Sequence, residues 1–151
     1  MAHDFDFYVG TWNVENRRLL EPLAGRDEWD EFPGVSVARP ILGGAGNSDE
    51  IDFPTRGWSG MTVRLFNPKT ELWSLYWMST RSDVIDVPQV GRFVDGRGEF
   101  FGDDVYDGRP IRVRYIWSGI TPTTAHWEQA FSTDGGQTWE TNWYMDSTRV
   151  T

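Results

Sequence analysis

The chain has 151 residues, and its 23 acidic against 14 basic side chains give a formal net charge of −9. This charge disfavours nucleic acid and anionic membrane surfaces as partners, because both bind basic protein faces. The absence of cysteine excludes disulfide bonds, a thiol nucleophile and thiolate metal sites. The sequence shows neither a secretion signal nor an apolar run of about 20 residues, so we expect a single cytoplasmic domain over residues 1–151.

The first third of the chain predicts a short helical turn and then three strands. Phe5 and Phe7 alternate with acidic residues in a segment that we expect to form a turn or lid at one end of the fold. The three β-rich runs cover residues 10–20, 28–41 and 49–53, and Pro33-Gly34 predicts a bend in the second. The glycine-rich segment 43–47 is interpreted as a turn rather than a phosphate-binding loop, because no helix follows it.

From Trp58 to Trp143 the sequence predicts a ladder of β-hairpins with roughly seven strands. Asn-Pro or Asp-Gly separates the β-rich runs, and Asp-Gly is a strong hairpin signal because such turns need the positive φ that Gly tolerates. The segment 132–139 also resembles the Asp-box of sialidase propellers, but a single copy favours a structural hairpin. The turns are Asn67-Pro68-Lys69, Asp95-Gly96, Asp107-Gly108 and Asp134-Gly135-Gly136.

An up-and-down run of this length has to hide its unpaired edges, and closure into a barrel is the usual solution. The nine Trp and nine Phe either fill the interior or line a pocket for a flat, apolar ligand. The sequence therefore predicts an all-β fold. We expect a single antiparallel up-and-down β-barrel of about nine or ten strands, with a short N-terminal helical turn.

Gly10-Thr11-Trp12 and Arg149, at the start of the first strand and the end of the last, resemble the pattern that closes the barrels of the lipocalin/calycin superfamily. The resemblance implies that Trp12, beside Gly10, plugs the closed end and that Arg149 packs across its ring. Over essentially the whole chain, further segments such as 53–57 and 127–132 resemble a bacterial calycin-like family of unknown function (DUF1579 type). The related nitrobindin haem barrels extend the motif as Gly-x-Trp-x-Gly-x-Gly, which this chain does not, so no cofactor is expected.

Alternation along the strands divides the side chains into two faces. The last strand, for example, has Trp139, Thr141, Trp143 and Met145 on its predicted inner face. Polar groups on such apolar faces need a partner, a water molecule or a ligand, unless they lie solvated at the barrel mouth. We expect the barrel to bind a small hydrophobic or aromatic molecule. The predicted binding residues are Asn16, Arg18, Trp77, Arg92, Tyr115, Trp127, Gln129 and Trp143.

The alternative is an enzyme of the same fold, a lyase, isomerase or cyclase that needs no cofactor. His126 and Glu128 lie on one face of one strand, about 6–7 Å apart, which suits general acid–base chemistry, but the same alternation places both outside. A catalyst would need a titratable group inside the cavity, for which His126, Glu128, Asp103 and Glu15 are the candidates. Two histidines and no cysteine cannot form a His-rich metal site, so no metal is expected.

Three aromatic residues are expected on the outer faces of their strands: Phe66, Tyr76 and Tyr144. Rings clustered on neighbouring strands form an apolar patch, and large patches usually mark a partner surface. A symmetric homodimer is the simplest closed assembly that would cover it. Scattered surface aromatics on a monomer are the alternative.

Overall fold

In this computed structural model, which describes residues 1–151, ten strands follow one another around a closed antiparallel barrel. Each strand pairs with its neighbours in sequence, and β1 pairs with β10 to close the ring. The predicted fold class is confirmed. The strands are β1 (Gly10–Leu19), β2 (Trp29–Ile41), β3 (Gly46–Phe53), β4 (Trp58–Asn67), β5 (Leu72–Ser79), β6 (Gln89–Val94), β7 (Arg97–Tyr106), β8 (Arg109–Ser118), β9 (Thr124–Ser132) and β10 (Glu140–Arg149).

The predicted turns connect the strands as expected. In the turn between β6 and β7, Asp95 and Gly96 both have positive φ (52° and 77°). Asp107 and Gly108, between β7 and β8, do the same (49° and 76°). Two successive residues with positive φ match the twist of the flanking strands, and this explains why Asp-Gly occurs at both positions.

The segment before β1 closes one end of the barrel. It contains a 3-10 turn over Asp6–Tyr8, as predicted, and Phe5 just before the turn is fully buried. The Phe5 ring packs edge-on against Trp73 and Phe93, with ring centroids 4.9 Å apart in both pairs. Its carbonyl oxygen accepts a hydrogen bond from Asn47 Nδ2 at 3.0 Å. The helical segments of the chain are short turns, and none could cross a membrane.

Arg149 stacks on Trp12 at this closed end, as the resemblance implied. The guanidinium carbon lies 4.3 Å from the Trp12 ring centroid, and the Trp12 side chain is fully buried. Arg149 also donates hydrogen bonds to the carbonyl oxygens of Phe7, Val9 and Pro122. It therefore ties the N-terminal segment to the loop between β8 and β9.

Gly10 leaves room for this arrangement. Its φ is +130°, a conformation that other residues rarely adopt. A β-carbon here would lie 2.6 Å from Arg149 Nη1 and 2.4 Å from the Thr151 carbonyl oxygen. Glycine is thus required both for the backbone conformation and for the close approach of the arginine.

A bulge in β10 reverses part of its predicted inner face. Thr141 pairs with Ala130 and Trp143 pairs with Gln129, so Asn142 is the extra residue. Trp143 points inward as predicted, but Trp139 packs on the outside, where the Arg114 guanidinium lies 4.4 Å from its ring centroid. The predictions that Trp139 and Thr141 face inward are therefore wrong, because alternation fails across the bulge.

The structure also corrects one of the three predicted outer aromatics. Phe66 faces inward and packs against the Trp73 ring, with centroids 5.3 Å apart. Tyr144 does lie outside, beside Trp29 at 5.7 Å. Tyr76 pairs with Val63 on the outer side of β4 and β5. Because Phe66 faces inward, the predicted aromatic patch keeps two of its three members.

We expect Arg149→Lys to lower the free energy of unfolding by about 2 kcal/mol, because an ammonium group can neither stack as a plane nor reach three carbonyl oxygens. Urea denaturation measures the change. Arg39→Lys, at an exposed position of β2, is the matched control, and we expect it to stay within about 0.5 kcal/mol of wild type. Equal effects of the two substitutions would contradict a closing role for Arg149.

Candidate functional site

A cavity of about 380 Å³ lies inside the barrel, between the closed end and the opposite, open end. This volume lies within the range of small-molecule sites, and aromatic and aliphatic side chains dominate its walls. Six aromatic rings from β5, β8, β9 and β10 line the cavity, and Phe131 of β9 is one of them. The other five belong to Trp77, Tyr115, Trp117, Trp127 and Trp143.

These rings hold one another in place. Trp127 and Trp143 pack edge-on at 5.6 Å, and Trp77 and Trp143 do so at 6.3 Å. Trp77 lies flat against β4 because Gly60 has no side chain; a β-carbon there would be 2.0 Å from the Trp77 ring. Trp143 Nε1 donates a hydrogen bond to Asn16 Oδ1 at 3.0 Å. The aromatic walls are therefore fixed by packing before any ligand arrives.

The floor of the cavity is polar, and its charged groups pair with each other, although Arg64 Nε has no hydrogen-bond partner. Arg64, only 3% exposed, forms an ion pair with Asp49, and its Nη1 donates to Asn47 Oδ1 at 3.1 Å. Tyr8 also lines the floor, and burial, followed by the nearby Asp49 carboxylate, raises the pKa of its hydroxyl to about 12. Tyr8 therefore stays protonated, and its hydroxyl lies 3.3 Å from Ser147 Oγ.

A second space of about 430 Å³, which we call the vestibule, adjoins the cavity at the open end of the barrel. Arg18 and Gln129 border both spaces. Gln129 Nε2 donates to Asn142 Oδ1 at 2.8 Å. Residues that line the vestibule include Arg18, Asp30, Phe32, Arg56, Trp58, Arg81, Gln129 and Asn142.

Three arginines border the vestibule, and only one of them is neutralised. Arg56 forms a two-point contact with the Asp30 carboxylate, with Nε 2.8 Å and Nη2 2.5 Å from its oxygens. Arg18 forms no ion pair; its guanidinium lies 4.3 Å from the Trp143 ring centroid. Arg81 lies 4.9 Å from the Trp58 ring centroid and likewise has no carboxylate partner. Burial, and then the charge of Arg81, lower the pKa of Arg18.

One wall of the cavity contains two carboxylates without a cationic partner. Asp86, in the loop between β5 and β6, and Asp104 on β7 both line the cavity. Burial, and then the charge of Asp104, raise the pKa of Asp86 above its ordinary value. Gln89 lies on the same wall, is 3% exposed, and its Oε1 has no hydrogen-bond donor.

The structure brings most of the predicted binding residues together and separates two from them. Asn16 lies behind Trp143, which it orients, and does not reach the cavity. Arg92 is exposed on the outer face of β6, because Gln89 and Phe93 take the inner positions, so its assignment to the site is corrected. Those that border the cavity are Arg18, Trp77, Tyr115, Trp127, Gln129 and Trp143.

Sequence reasoning missed several residues of the site. Asn142 was missed because the bulge that turns it inward has no clear signal in the sequence. Asp86 belongs to a loop, to which strand alternation does not apply. Asp104 sits beside Asp103, and extending the alternation of β7 from Phe100 would have placed Asp104 inside.

None of the predicted catalytic candidates faces the cavity. His126 is held on the outer surface by Asp146 (Nδ1 to Oδ1, 2.6 Å) and Glu128 (Nε2 to Oε2, 3.0 Å). Asp103 pairs with Arg112 outside, and Glu15 is exposed. Side chains of His, Asp and Glu nowhere gather in the groups of three or more that would hold a metal ion.

No protein-family model matches the sequence, and no curated protein matches it. Among solved structures, the fold is similar to that of the S-type phycobiliprotein lyase CPES from Guillardia theta. The TM-score is 0.43 and the sequence identity 13%, over 97% of this chain and 90% of that one.

The outer cluster around His126 makes stability depend on pH. Burial alone would lower the pKa of His126, but its hydrogen bonds to Asp146 and Glu128 outweigh burial and raise it. A raised pKa in the folded state stabilises the fold below the unfolded value of about 6.5, and this contribution is lost as pH rises through the folded pKa. His126→Gln should therefore destabilise the protein more at about pH 5.5 than at about pH 9.

Thermal melts at both pH values measure that difference. The double variant Glu128→Gln/Asp146→Asn removes the two carboxylates that raise the pKa of His126. In that background the extra His126→Gln substitution should have nearly the same effect at both pH values. A destabilisation by His126→Gln that grows with pH would contradict the structural role.

Proposed function

We propose that the barrel binds one small, largely aromatic molecule in its cavity. The observation that supports this most directly is the space of about 380 Å³ inside the barrel, whose lining includes the rings of Trp77, Tyr115, Trp127 and Trp143. An apolar space of this size inside a small domain is not needed for folding, since protein interiors are normally filled at crystal-like density. The physical gain on binding is the removal of apolar ligand and wall surface from water.

The fixed walls support the same proposal. The rings of Trp77, Trp127 and Trp143 pack edge-on, and Asn16 and Gly60 hold two of them in position. A site that is ordered before binding loses little conformational entropy when the ligand enters.

Intrinsic tryptophan fluorescence tests this proposal, because Trp77, Trp127 and Trp143 border the space. We expect the neutral probe N-phenyl-1-naphthylamine to quench it in a saturable way. Val113→Phe, which places a ring into the cavity, should weaken binding about tenfold or more, which corresponds to about 1.4 kcal/mol. Val37→Phe, on the outer face of β2, is the matched control and should leave the affinity unchanged.

Two results would contradict the proposal. One is the absence of saturable quenching with wild-type protein that is folded by circular dichroism. The other is an equal loss of affinity in Val113→Phe and Val37→Phe, which would place the probe outside the barrel.

The cavity also supports a second candidate, a cofactor-independent lyase, isomerase or cyclase. The observation that favours it is Asp86, a carboxyl group on the cavity wall whose pKa is raised by burial and by Asp104. A carboxyl group whose pKa is raised keeps its proton to a higher pH than an ordinary aspartate and can act as a proton donor. The residues that the sequence put forward for this role lie outside, so Asp86 replaces them.

Carbon-detected NMR titration of the Asp86 carboxyl group tests this candidate. We expect a midpoint above the ordinary value of about 3.9. Asp104→Asn should shift the midpoint back toward that value, because it removes a nearby negative charge. Asp103→Asn, at the adjacent outward position, is the control and should leave it in place. A midpoint at the ordinary value in wild type would remove the proton donor on which the enzyme depends.

Three further predictions from the sequence stay proposals. Membership of the calycin-like family of the DUF1579 type rests on Gly10, Trp12 and Arg149 and on the barrel that they close. Cytoplasmic location rests on the composition. The homodimer rests on outer aromatics such as Tyr76 and Tyr144, without Phe66.

A further inference from the structure

The boundary between cavity and vestibule contains hydrogen-bond donors that have no acceptor in the protein. We call the vestibule side of this boundary the neck and define it by Arg18, which borders both spaces, and by Arg81 and Asn142, which line the vestibule. Neither arginine has a carboxylate partner, in contrast to Arg56 beside them, which is paired with Asp30. Asn142 is 2% exposed, and its Nδ2 has no hydrogen-bond partner.

The two free guanidiniums oppose each other electrostatically. Arg18 is half-buried, with its guanidinium 4.3 Å from the Trp143 ring centroid and 5.6 Å from that of Trp58, and the Arg81 guanidinium lies 4.9 Å from the same Trp58 centroid. Two like charges at one partly buried position destabilise each other unless an opposite charge lies between them. The one nearby carboxylate, Asp30, lines the vestibule but is held by Arg56, and it forms no ion pair with Arg18 or Arg81.

The stacking geometry leaves the donors free. A guanidinium that lies over an aromatic ring uses its face for the contact, and its N–H groups point outward in its own plane. Those N–H groups match the spacing of two oxygens of one oxyanion. The neighbouring Asn142 Nδ2 is a buried donor that lacks an acceptor, and leaving such a group unpaired is unfavourable.

We infer that the neck binds an oxyanion that is part of the ligand, while the aromatic body of that ligand lies in the cavity. The inference rests on the proposed function and names its substrate class: small aromatic oxyacids. Arg18 borders both the cavity and the vestibule, so a group held there is continuous with a ring between Trp127 and Trp143. Arg81 supplies the second charge from the vestibule side.

Isothermal titration calorimetry with matched probes tests the inference. 1-Naphthoate and 1-naphthamide share one ring system and differ in charge. We expect wild type to bind the carboxylate about tenfold more tightly than the amide, since a buried arginine–carboxylate contact is strong. Sodium chloride should weaken the binding of naphthoate and leave that of naphthamide unchanged. Naphthalene-1-sulfonate and 1-naphthyl phosphate show which oxyanion the neck prefers.

Single substitutions test whether the preference for carboxylate over amide depends on the arginines of the neck. Arg18→Gln should remove most of the preference for carboxylate over amide, and Arg81→Gln, at an exposed side chain that folding does not need, should reduce it about threefold. Arg92→Gln, on the outer face of β6, removes one positive charge far from the neck and should leave the preference unchanged. Circular dichroism confirms that each variant is folded.

The outcomes separate this inference from the proposed function. If both probes bind the cavity with equal affinity, or if Arg92→Gln lowers the preference as much as Arg81→Gln and Arg18→Gln, the oxyanion site is wrong and the aromatic cavity stands. If neither probe binds, the proposed function fails as well. A preference for the carboxylate that Arg18→Gln and Arg81→Gln both reduce supports the inference.

Discussion

The stack of Arg149 on Trp12 determines where the barrel ends and where its cavity begins. Tyr8 continues the stack on the inner side of Trp12, with ring centroids 5.0 Å apart, and its other side forms the cavity floor. The floor ends at Arg64, whose guanidinium carbon lies 5.5 Å from the Tyr8 ring centroid. The two stacked rings thus each contact one cation, Arg149 at Trp12 and Arg64 at Tyr8.

The fold depends on this stack because it joins parts that are distant in sequence. Trp12 pairs with Arg149 across the contact of β1 with β10, the last contact that closes the ring. Contacts between residues so far apart carry the largest loop-closure entropy. Hydrogen bonds from Arg149 to Phe7, Val9 and Pro122 concentrate several interactions on that closure.

Much of the fold could be predicted from local patterns in the sequence. Asp-Gly turns and alternating strands predicted the ladder, and the Gly10, Trp12 and Arg149 pattern predicted the closed end. Alternation failed where an extra residue shifts the register, at Asn142, and such a bulge depends on cross-strand contacts rather than on its own residue type. The positions of loop residues are harder to predict from sequence than those of strand residues. Asp86, for example, is positioned by a hydrogen bond from its backbone N–H to the Trp77 carbonyl oxygen.

Charge is distributed unequally between the inside and the outside of the molecule. The chain is acidic overall, and its field offers an approaching anion no long-range attraction. The free guanidiniums of Arg18 and Arg81 act only at short range, where stacking on Trp143 and Trp58 holds them. The free positive charges therefore lie at the open end of the barrel, and the aromatic walls of the cavity lie deeper inside it.

The barrel wall is weakest between β5 and β6. These strands share three residue pairs, whereas β4 and β5 share eight. Beyond Leu75, the loop that contains Asp86 covers the gap, with one backbone hydrogen bond to Trp77. Local opening is easiest where the fewest backbone hydrogen bonds have to break, so we expect the contact between β5 and β6 to open before the rest of the barrel wall. For the ligand proposed above, we therefore expect opening of this gap to set the rate of release, whereas Trp127 and Trp143, on β9 and β10 away from the gap, contribute to affinity.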